Sequence, residues 1–487
     1  MTASRRHFLM GAAALSAAVV TPETVRAMAA QQAAADWALA TVDLEADVAP
    51  RALRLVSGRA PADLAGTLFR NGPAKFRRPG GSVTHWFDGD GLMRAFRVAD
   101  GEVTLDARFV DTPKRRFESE IGAVVTPGFG TVGDARARLG SNDDANAANT
   151  AVMVAGDDVW ALWEAGSPVA MSASDLGTRG FVTLRDDLKG MPFQAHPRYD
   201  PDGTIWNIGL NGGKAIVWRL KADRSLHSAE VIDLPRASFM HDFTATARHL
   251  ILVLQPWVFD HRATPYASQF AWRPELGTQI LVLDKADLSR RRLFELPAFS
   301  YFHLGDAWED ASGTIRFDVA AGKDVAFAIE GARVLVEQRG SVPGEHAVLK
   351  LVTLHADGRA ELASSGVTAE FPKNDPRRAG LPRRLTVHVA GERPDRPLPT
   401  GLATWDWDSG KSDYFNFGVT QIVEEAVYVP RAGGGETDAW LVAPSINLAE
   451  GVTELHVFNA ARVADGPVAS WRADVALPTG FHGVWAG

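Results

Sequence analysis

The chain has 487 residues, 46% of them hydrophobic and 23% charged, with a formal net charge of −8. That composition is globular, and its scattered Lys and Arg argue against a nucleic-acid partner, which favours a basic stripe. There is no cysteine, so disulfides, iron–sulfur clusters and thiolate catalysis are excluded, and any metal must be held by His, Asp, Glu or backbone oxygen.

In chain order, the first element is an export signal. Ser4-Arg5-Arg6-His7-Phe8-Leu9 has the form of a twin-arginine motif, followed by an apolar stretch from Phe8 to Val20 that is too short to span a bilayer. Ala27-Met28-Ala29 supplies small residues around a cleavage point, so residues 1–29 are expected to be a signal peptide and the mature protein periplasmic. The twin-arginine route carries proteins already folded in the cytoplasm.

Residues 36–487 contain no linker and no low-complexity block. Short β-rich runs recur instead. Val159-Trp160-Ala161-Leu162-Trp163 is closed by Gly166-Ser167-Pro168. Thr204 to Ile208 is followed by Asn211-Gly212-Gly213 and then Ala215-Ile216-Val217-Trp218. Gln279 to Leu283 ends at Asp284, and Val348 to Leu354 turns at Asp357-Gly358. Asn-Gly and Asp-Gly between apolar runs are hairpin signals. Closely spaced strands with few amphipathic helices predict an all-β fold. A propeller is favoured over several sandwiches because no composition shift marks a boundary.

Of the thirteen histidines, four sit in distinctive settings, each after a small or apolar residue: His196 (Ala195-His196-Pro197), His241 (Met240-His241-Asp242), His303 (Phe302-His303-Leu304) and His482 (Phe481-His482-Gly483). No local spacing joins them. A propeller axis would permit such a set, with different inner strands each giving one ligand, but core or surface histidines are equally compatible with these settings. His85 lies in a tight motif, yet its neighbours alternate like a strand into the Asp88-Gly89-Asp90-Gly91 turn, so it is expected to be structural. Asp242 is not expected to be a ligand, because adjacent strand residues point to opposite faces.

A series of motifs in order resembles the carotenoid cleavage oxygenase family throughout the mature length. They are Gly66-Thr67-Leu68-Phe69-Arg70-Asn71-Gly72-Pro73, His85-Trp86-Phe87-Asp88-Gly89-Asp90-Gly91, Ala161 to Gly166, His196-Pro197 with Asp200, His241-Asp242-Phe243, Phe302-His303 with Ala307-Trp308-Glu309, and Gly466-Pro467-Val468-Ala469 with Gly480-Phe481-His482-Gly483. The resemblance implies a seven-bladed β-propeller with one iron(II) on its central axis, capped by loops and short helices. It implies that His196, His241, His303 and His482 hold the iron. It further implies that Glu164, Glu370 and Glu436 accept hydrogen bonds from the ligands' distal nitrogens, and that Thr150 stands beside the open metal position. Carboxylates behind neutral imidazoles fix the tautomer and spread the charge of the ion. The sequence departs from the family's pattern at Ala247, where Glu is frequent, and at Asp306, where Asn is frequent.

The implied reaction is cleavage of a conjugated carbon–carbon double bond by dioxygen, giving aldehydes or ketones. Carotenoids or apocarotenoids are favoured as substrates over stilbenes. The stilbene branch uses a tyrosine and a lysine on the phenol, whereas Thr104 to Phe109 has no tyrosine and Asp143 to Asn149 no lysine. A non-cleaving isomerase or a carotenoid-binding propeller is the remoter alternative; a GxSxG elbow favouring hydrolysis is not evident. A monomer is expected, with peripheral membrane contact through an apolar tunnel mouth. The aromatic stretch from Gln255 to Leu276, including Trp257, Phe259, Tyr266, Phe270 and Trp272, is the expected mouth.

Overall fold

The hairpin signals in the sequence fall where the chain reverses in the computed structural model, which describes residues 37–338, 345–391 and 398–487. Strand Ile205–Asn211 pairs with Lys214–Leu220 through a two-residue turn, Asn211 opposite Lys214. Gly212 in that turn takes φ +60°, a left-handed conformation that glycine adopts without a Cβ penalty. Val348–Leu354 likewise returns as Ala360–Thr368 around Asp357-Gly358. The expected signal peptide, residues 1–29, lies outside the described residues.

The architecture is an all-β propeller. Five sheets of four or five antiparallel strands follow one another in sequence order: residues 151–181, 198–233, 244–296, 300–368 and 370–416. Apart from two short hairpins, Arg77–Arg78 with Gly81–Ser82 and Trp257–Phe259 with Phe270–Trp272, the remaining described strands form one continuous ten-stranded sheet built from both ends of the chain. This corrects the expectation of seven separate blades. Val48–Gly58 bonds to Glu102–Phe109 on one side and to Ala469–Arg472 on the other, so two groups of strands are continuous through it. The last strand, Gly483–Ala486, pairs with Gly66–Lys75. Both ends of the chain are thus tied into one sheet, which closes the ring.

Inner and middle strands are buried on both faces, because neighbouring sheets stack against each side of them. Ile205 to Gly209 and His249 to Leu254 are buried without interruption, whereas the outer strand Leu226–Asp233 alternates with solvent. Helices are few. Pro113–Ile121 is the longest, with Thr112 accepting from the Arg115 amide at 3.2 Å and Pro113 in the first turn. Ala332–Glu337 continues a π-turn over Phe327–Gly331. No described helix is long and apolar enough to cross a membrane.

The motif residues near the N-terminus are staples for this closure. Arg70 is fully buried, bonds the Glu424 carboxylate, and donates to the Glu425 and Phe481 carbonyls at 3.0 Å each. Asp88 accepts from the amides of Phe129, Gly130 and Thr131 at 2.6, 3.0 and 2.8 Å, which holds a loop over the centre. A Cβ on Gly72 would meet the Gly480 backbone at 2.5 Å, so glycine is required where the two ends of the chain cross.

Candidate metal centre and substrate cavity

Each sheet delivers functional side chains to the centre from a short strand or from the few residues next to it. Thr150 precedes Ala151–Ala155, His196 and His241 precede Arg198–Tyr199 and Thr244–Ala245, and His303 lies in Ser300–Leu304. Glu370 opens Glu370–Lys373, Glu425 sits between Gln421–Val423 and Val427–Pro430, and His482 precedes Gly483–Ala486. The side-chain nitrogens of His196, His241, His303 and His482 lie within 4.8 Å of one another. Residues spread over almost three hundred positions meet because every sheet points an edge at one axis.

Three of the rings are fixed by carboxylates. His241 Nδ1 bonds Glu164 Oε1, His303 Nδ1 bonds Glu370 Oε2 at 2.6 Å, and His482 Nδ1 bonds Glu425 Oε1 at 2.8 Å. Each carboxylate takes the Nδ1 proton and leaves an Nε2 lone pair facing inward. His303 Nε2 is buried with no partner, and His196 Nε2 lies 2.9 Å from His241 Nε2. Inward-facing lone pairs in a buried space are unfavourable unless a cation sits among them. The donor set therefore fits a divalent metal held by four neutral imidazoles.

Electrostatics keep two of the rings, His196 and His482, neutral. Burial, with His482, His241 and His303 around it, pushes His196 well below the usual histidine range. Burial, with His303 and the Lys373 cation nearby, does the same to His482. Burial also pushes His241 down, but the Glu164 carboxylate against its Nδ1 outweighs that and holds the ring above the usual range.

Glu436 was expected among the three carboxylates behind the ligands, and the structure has Glu425 in that role instead. Glu436 instead accepts from the Arg384 amide at 3.1 Å and lies 3.7 Å from the Arg384 side chain. It is in a loop outside the centre. Glu425 is fully buried within Ile422-Val423-Glu424-Glu425-Ala426-Val427. Two acids inside a buried apolar run are costly unless paired, and that pattern was the signal available in the sequence. The departure at Asp306 is accommodated by Arg198, which donates to it at 2.8 Å and also binds Asp242. Asp242 is thereby engaged away from the histidines. His85 is committed to backbone, with Nε2 2.6 Å from the Ala328 carbonyl and Nδ1 accepting from the Phe87 amide at 3.2 Å.

A cavity of about 370 Å³ opens onto the histidines, within the size range of small-molecule sites. Phe87, Phe129, Trp163, Phe302, Phe371 and Phe481 form much of its wall. Its lining includes Thr150, Glu164 and Glu370 but no Lys or Arg. Thr150 is buried, and its hydroxyl donates to Asn149 Oδ1 at 3.1 Å. The segment Gln255–Leu276 is a hairpin, Trp257–Phe259 against Phe270–Trp272, rather than an irregular loop. Trp257 is 1% exposed and packs with Phe239, so it is core and not a surface residue as expected. Phe259 and Tyr266 are 39% and 41% exposed, and Tyr266, Thr264 and Gln269 border the cavity.

A profile of the retinal pigment epithelial membrane protein family, which includes the carotenoid cleavage oxygenases, matches residues 39–487. The chain belongs to this family. An apocarotenoid-15,15'-oxygenase of Synechocystis is 27% identical over 88% of this chain and 92% of its own length. Lignostilbene-alpha,beta-dioxygenase isozyme III of Sphingomonas paucimobilis is 26% identical, and an isoeugenol monooxygenase of Pseudomonas putida is 28% identical; each alignment covers 88% of this chain and 93% of the relative. A solved variant of the Synechocystis apocarotenoid oxygenase superposes with a TM-score of 0.84 at 24% identity, covering 93% of this chain and 98% of that one. A cobalt-substituted form of that enzyme superposes with a TM-score of 0.81 at 25% identity.

Proposed function

We propose that this family member is an iron(II)-dependent oxygenase that cleaves a conjugated carbon–carbon double bond of a carotenoid or apocarotenoid. The observation that carries this reading is the convergence of carboxylate-fixed imidazoles at the end of an aromatic cavity lined by no Lys or Arg. His196, His241, His303 and His482 would hold the iron. Bound there, iron(II) supplies the one-electron chemistry with dioxygen that side chains cannot.

The chain's own residues perform the rest. Glu164, Glu370 and Glu425 hold the Nδ1 protons, so each ring keeps its ligating nitrogen free. Phe302 and Phe371 flank the metal position and offer ring faces and edges to a planar polyene, excluding water from it. Thr150 commits its proton to Asn149, so it offers no hydroxyl hydrogen to the open side. A low-dielectric wall without a cation suits an uncharged, apolar substrate better than a phenolate.

The stilbene alternative draws on Tyr266, whose phenol borders the cavity, and on relatives named for stilbene-type substrates, including a resveratrol cleavage oxygenase of Aspergillus fumigatus. The missing lysine weighs against it. Iron-loaded protein incubated in air with carotenoids, apocarotenals and stilbenes, followed by product mass analysis, tests the reading. Aldehydes from a polyene, close to one iron per chain, and loss of both metal and turnover in His241→Ala are expected. Cleavage of stilbenes alone would overturn the substrate class. Isomerised or unchanged substrate would overturn cleavage.

We also propose that residues 36–487 are one propeller domain. Arg5-Arg6 and the following apolar run support twin-arginine export to the periplasm of a monomer, and exposed Phe259 and Tyr266, the latter bordering the cavity, support peripheral membrane contact.

A further inference from the structure

The three carboxylates behind the histidines are not equivalent. The Glu164 and Glu370 side chains are 25% and 34% exposed, and neither pairs with Lys or Arg among the described residues. Glu425 is 0% exposed and lies between two cations. Its Oε1 accepts from His482 Nδ1 at 2.8 Å and is 3.0 Å from Lys373 Nζ. Its Oε2 accepts from the Gly483 amide at 2.8 Å and is 3.6 Å from Arg70. The oxygen that fixes His482 is therefore shared with an ammonium.

Lys373 reaches this oxygen through an irregularity. Residues three apart in a regular strand face opposite sides, yet Glu370 and Lys373 both reach carboxylate–histidine pairs at the centre. The pairing register shifts between these two residues, and Phe371 between them takes φ +53°. A left-handed bulky residue is strained and persists where the surroundings impose it. Here the same distortion stacks Phe371 on His303, with centroids 4.6 Å apart and planes at 27°. One bent strand thus gives an acid to His303 and a cation to the acid of His482. Bulges commonly re-aim side chains beside active sites.

We infer that Lys373 is a positioning residue for the metal: by sharing Glu425 Oε1 with His482, it weakens that carboxylate's pull on the imidazole and makes His482 the least basic of the three carboxylate-fixed ligands. This rests on the metal reading above. A carboxylate behind a ligating histidine raises its basicity, and a cation on the same oxygen withdraws that effect. Lys373 is 35% exposed, so its ammonium can be removed without opening the core.

The test is cobalt(II) affinity of the full chain by chelator competition, read together with the cobalt visible absorption bands. Lys373→Met is expected to bind cobalt about tenfold tighter, the lower end of what partners behind metal ligands contribute, with shifted bands. Lys373→Arg is expected to keep wild-type affinity and bands. In a Glu425→Gln background, Lys373→Met is expected to change neither, which isolates the route through Glu425. Equal affinity and bands in Lys373→Met and wild type would overturn the inference. So would an equal gain in the Glu425→Gln background, which would make Lys373 a distant charge and no more. A wild-type protein that binds no cobalt would instead overturn the metal reading, and this inference with it.

Discussion

Replacing Glu425 by Gln separates the carboxylate that holds His482 from Glu436, which lies eleven positions further along. Glu425 accepts hydrogen bonds from His482 Nδ1–H at 2.8 Å and from the Gly483 amide at 2.8 Å, one on each oxygen. A Gln has one acceptor oxygen and one amide donor, so whichever way it turns, a donor faces a donor. If Gly483 keeps the oxygen, His482 must move its proton to Nε2 and can no longer ligate. If His482 keeps it, the buried Gly483 amide loses its partner, at a cost of about 1–3 kcal/mol. Arg70 retains Glu424, so the loss stays below that of a fully orphaned buried charge. Metal affinity or rate should fall about 10–100-fold in Glu425→Gln. Glu436→Gln keeps an oxygen for the Arg384 amide and should stay within about 0.5 kcal/mol of wild type with metal affinity unchanged. Chelator competition, thermal melts and turnover on one preparation of each variant decide this. Loss of metal from Glu436→Gln with retention in Glu425→Gln would refute the assignment.

Acid should destabilise the fold through two buried neutral histidines, His388 and His456, both pushed by burial to about 4. Above pH 6.5 neither folded nor unfolded chain is protonated there and stability is complete. Between pH 6.5 and 4 only the unfolded chain takes up protons, and stability falls by about 1.4 kcal/mol per pH unit for each histidine. Urea unfolding flat between pH 7 and 4.5 would contradict this. At the cavity mouth, Phe259→Ser with Tyr266→Ser should weaken liposome binding at an unchanged melting temperature, whereas Trp257→Ser should lower the melting temperature by removing core packing; the opposite pattern would mean that the mouth lies elsewhere. Lys in place of both Arg5 and Arg6 should leave the protein in the cytoplasm by fractionation; unchanged export would point to the general secretory route.

The sequence made the hairpins legible because turn chemistry is local: Asn211-Gly212-Gly213 needs only its neighbours to declare a reversal. It made the four histidines findable through short motifs around each, although nothing local says that they meet. The number of separate sheets was hidden, because closure depends on Val48–Gly58 bonding to strands from both ends of the chain, a pairing across some four hundred residues that no periodicity reveals. Glu425 was missed for a related reason. Its apolar neighbours show that it is buried, but its partners Arg70, Lys373 and His482 are all distant in sequence and meet it only in the fold. Trp257 was misplaced because an aromatic, proline-broken stretch looks like a surface loop until its partner strand Phe270–Trp272 is seen.

Ring closure and assembly of the four-histidine cluster are physically one arrangement here. Arg70, from the strand that pairs with the C-terminal strand, bonds Glu424 and lies beside Glu425. Glu425 fixes His482, which immediately precedes that C-terminal strand. The Asn71 amide donates to the His482 carbonyl, and its side chain to the Ala148 and Ala151 carbonyls on either side of Thr150. A chain whose ends had not paired would therefore leave His482 unoriented, Glu425 without Arg70 beside it, and Thr150 without its backbone frame. Three of the four histidines come from sheets formed by contiguous segments, and the fourth arrives only on closure. A divalent ion bound to all four then favours the closed ring over any form with frayed ends, by mass action on the one state that presents the complete donor set.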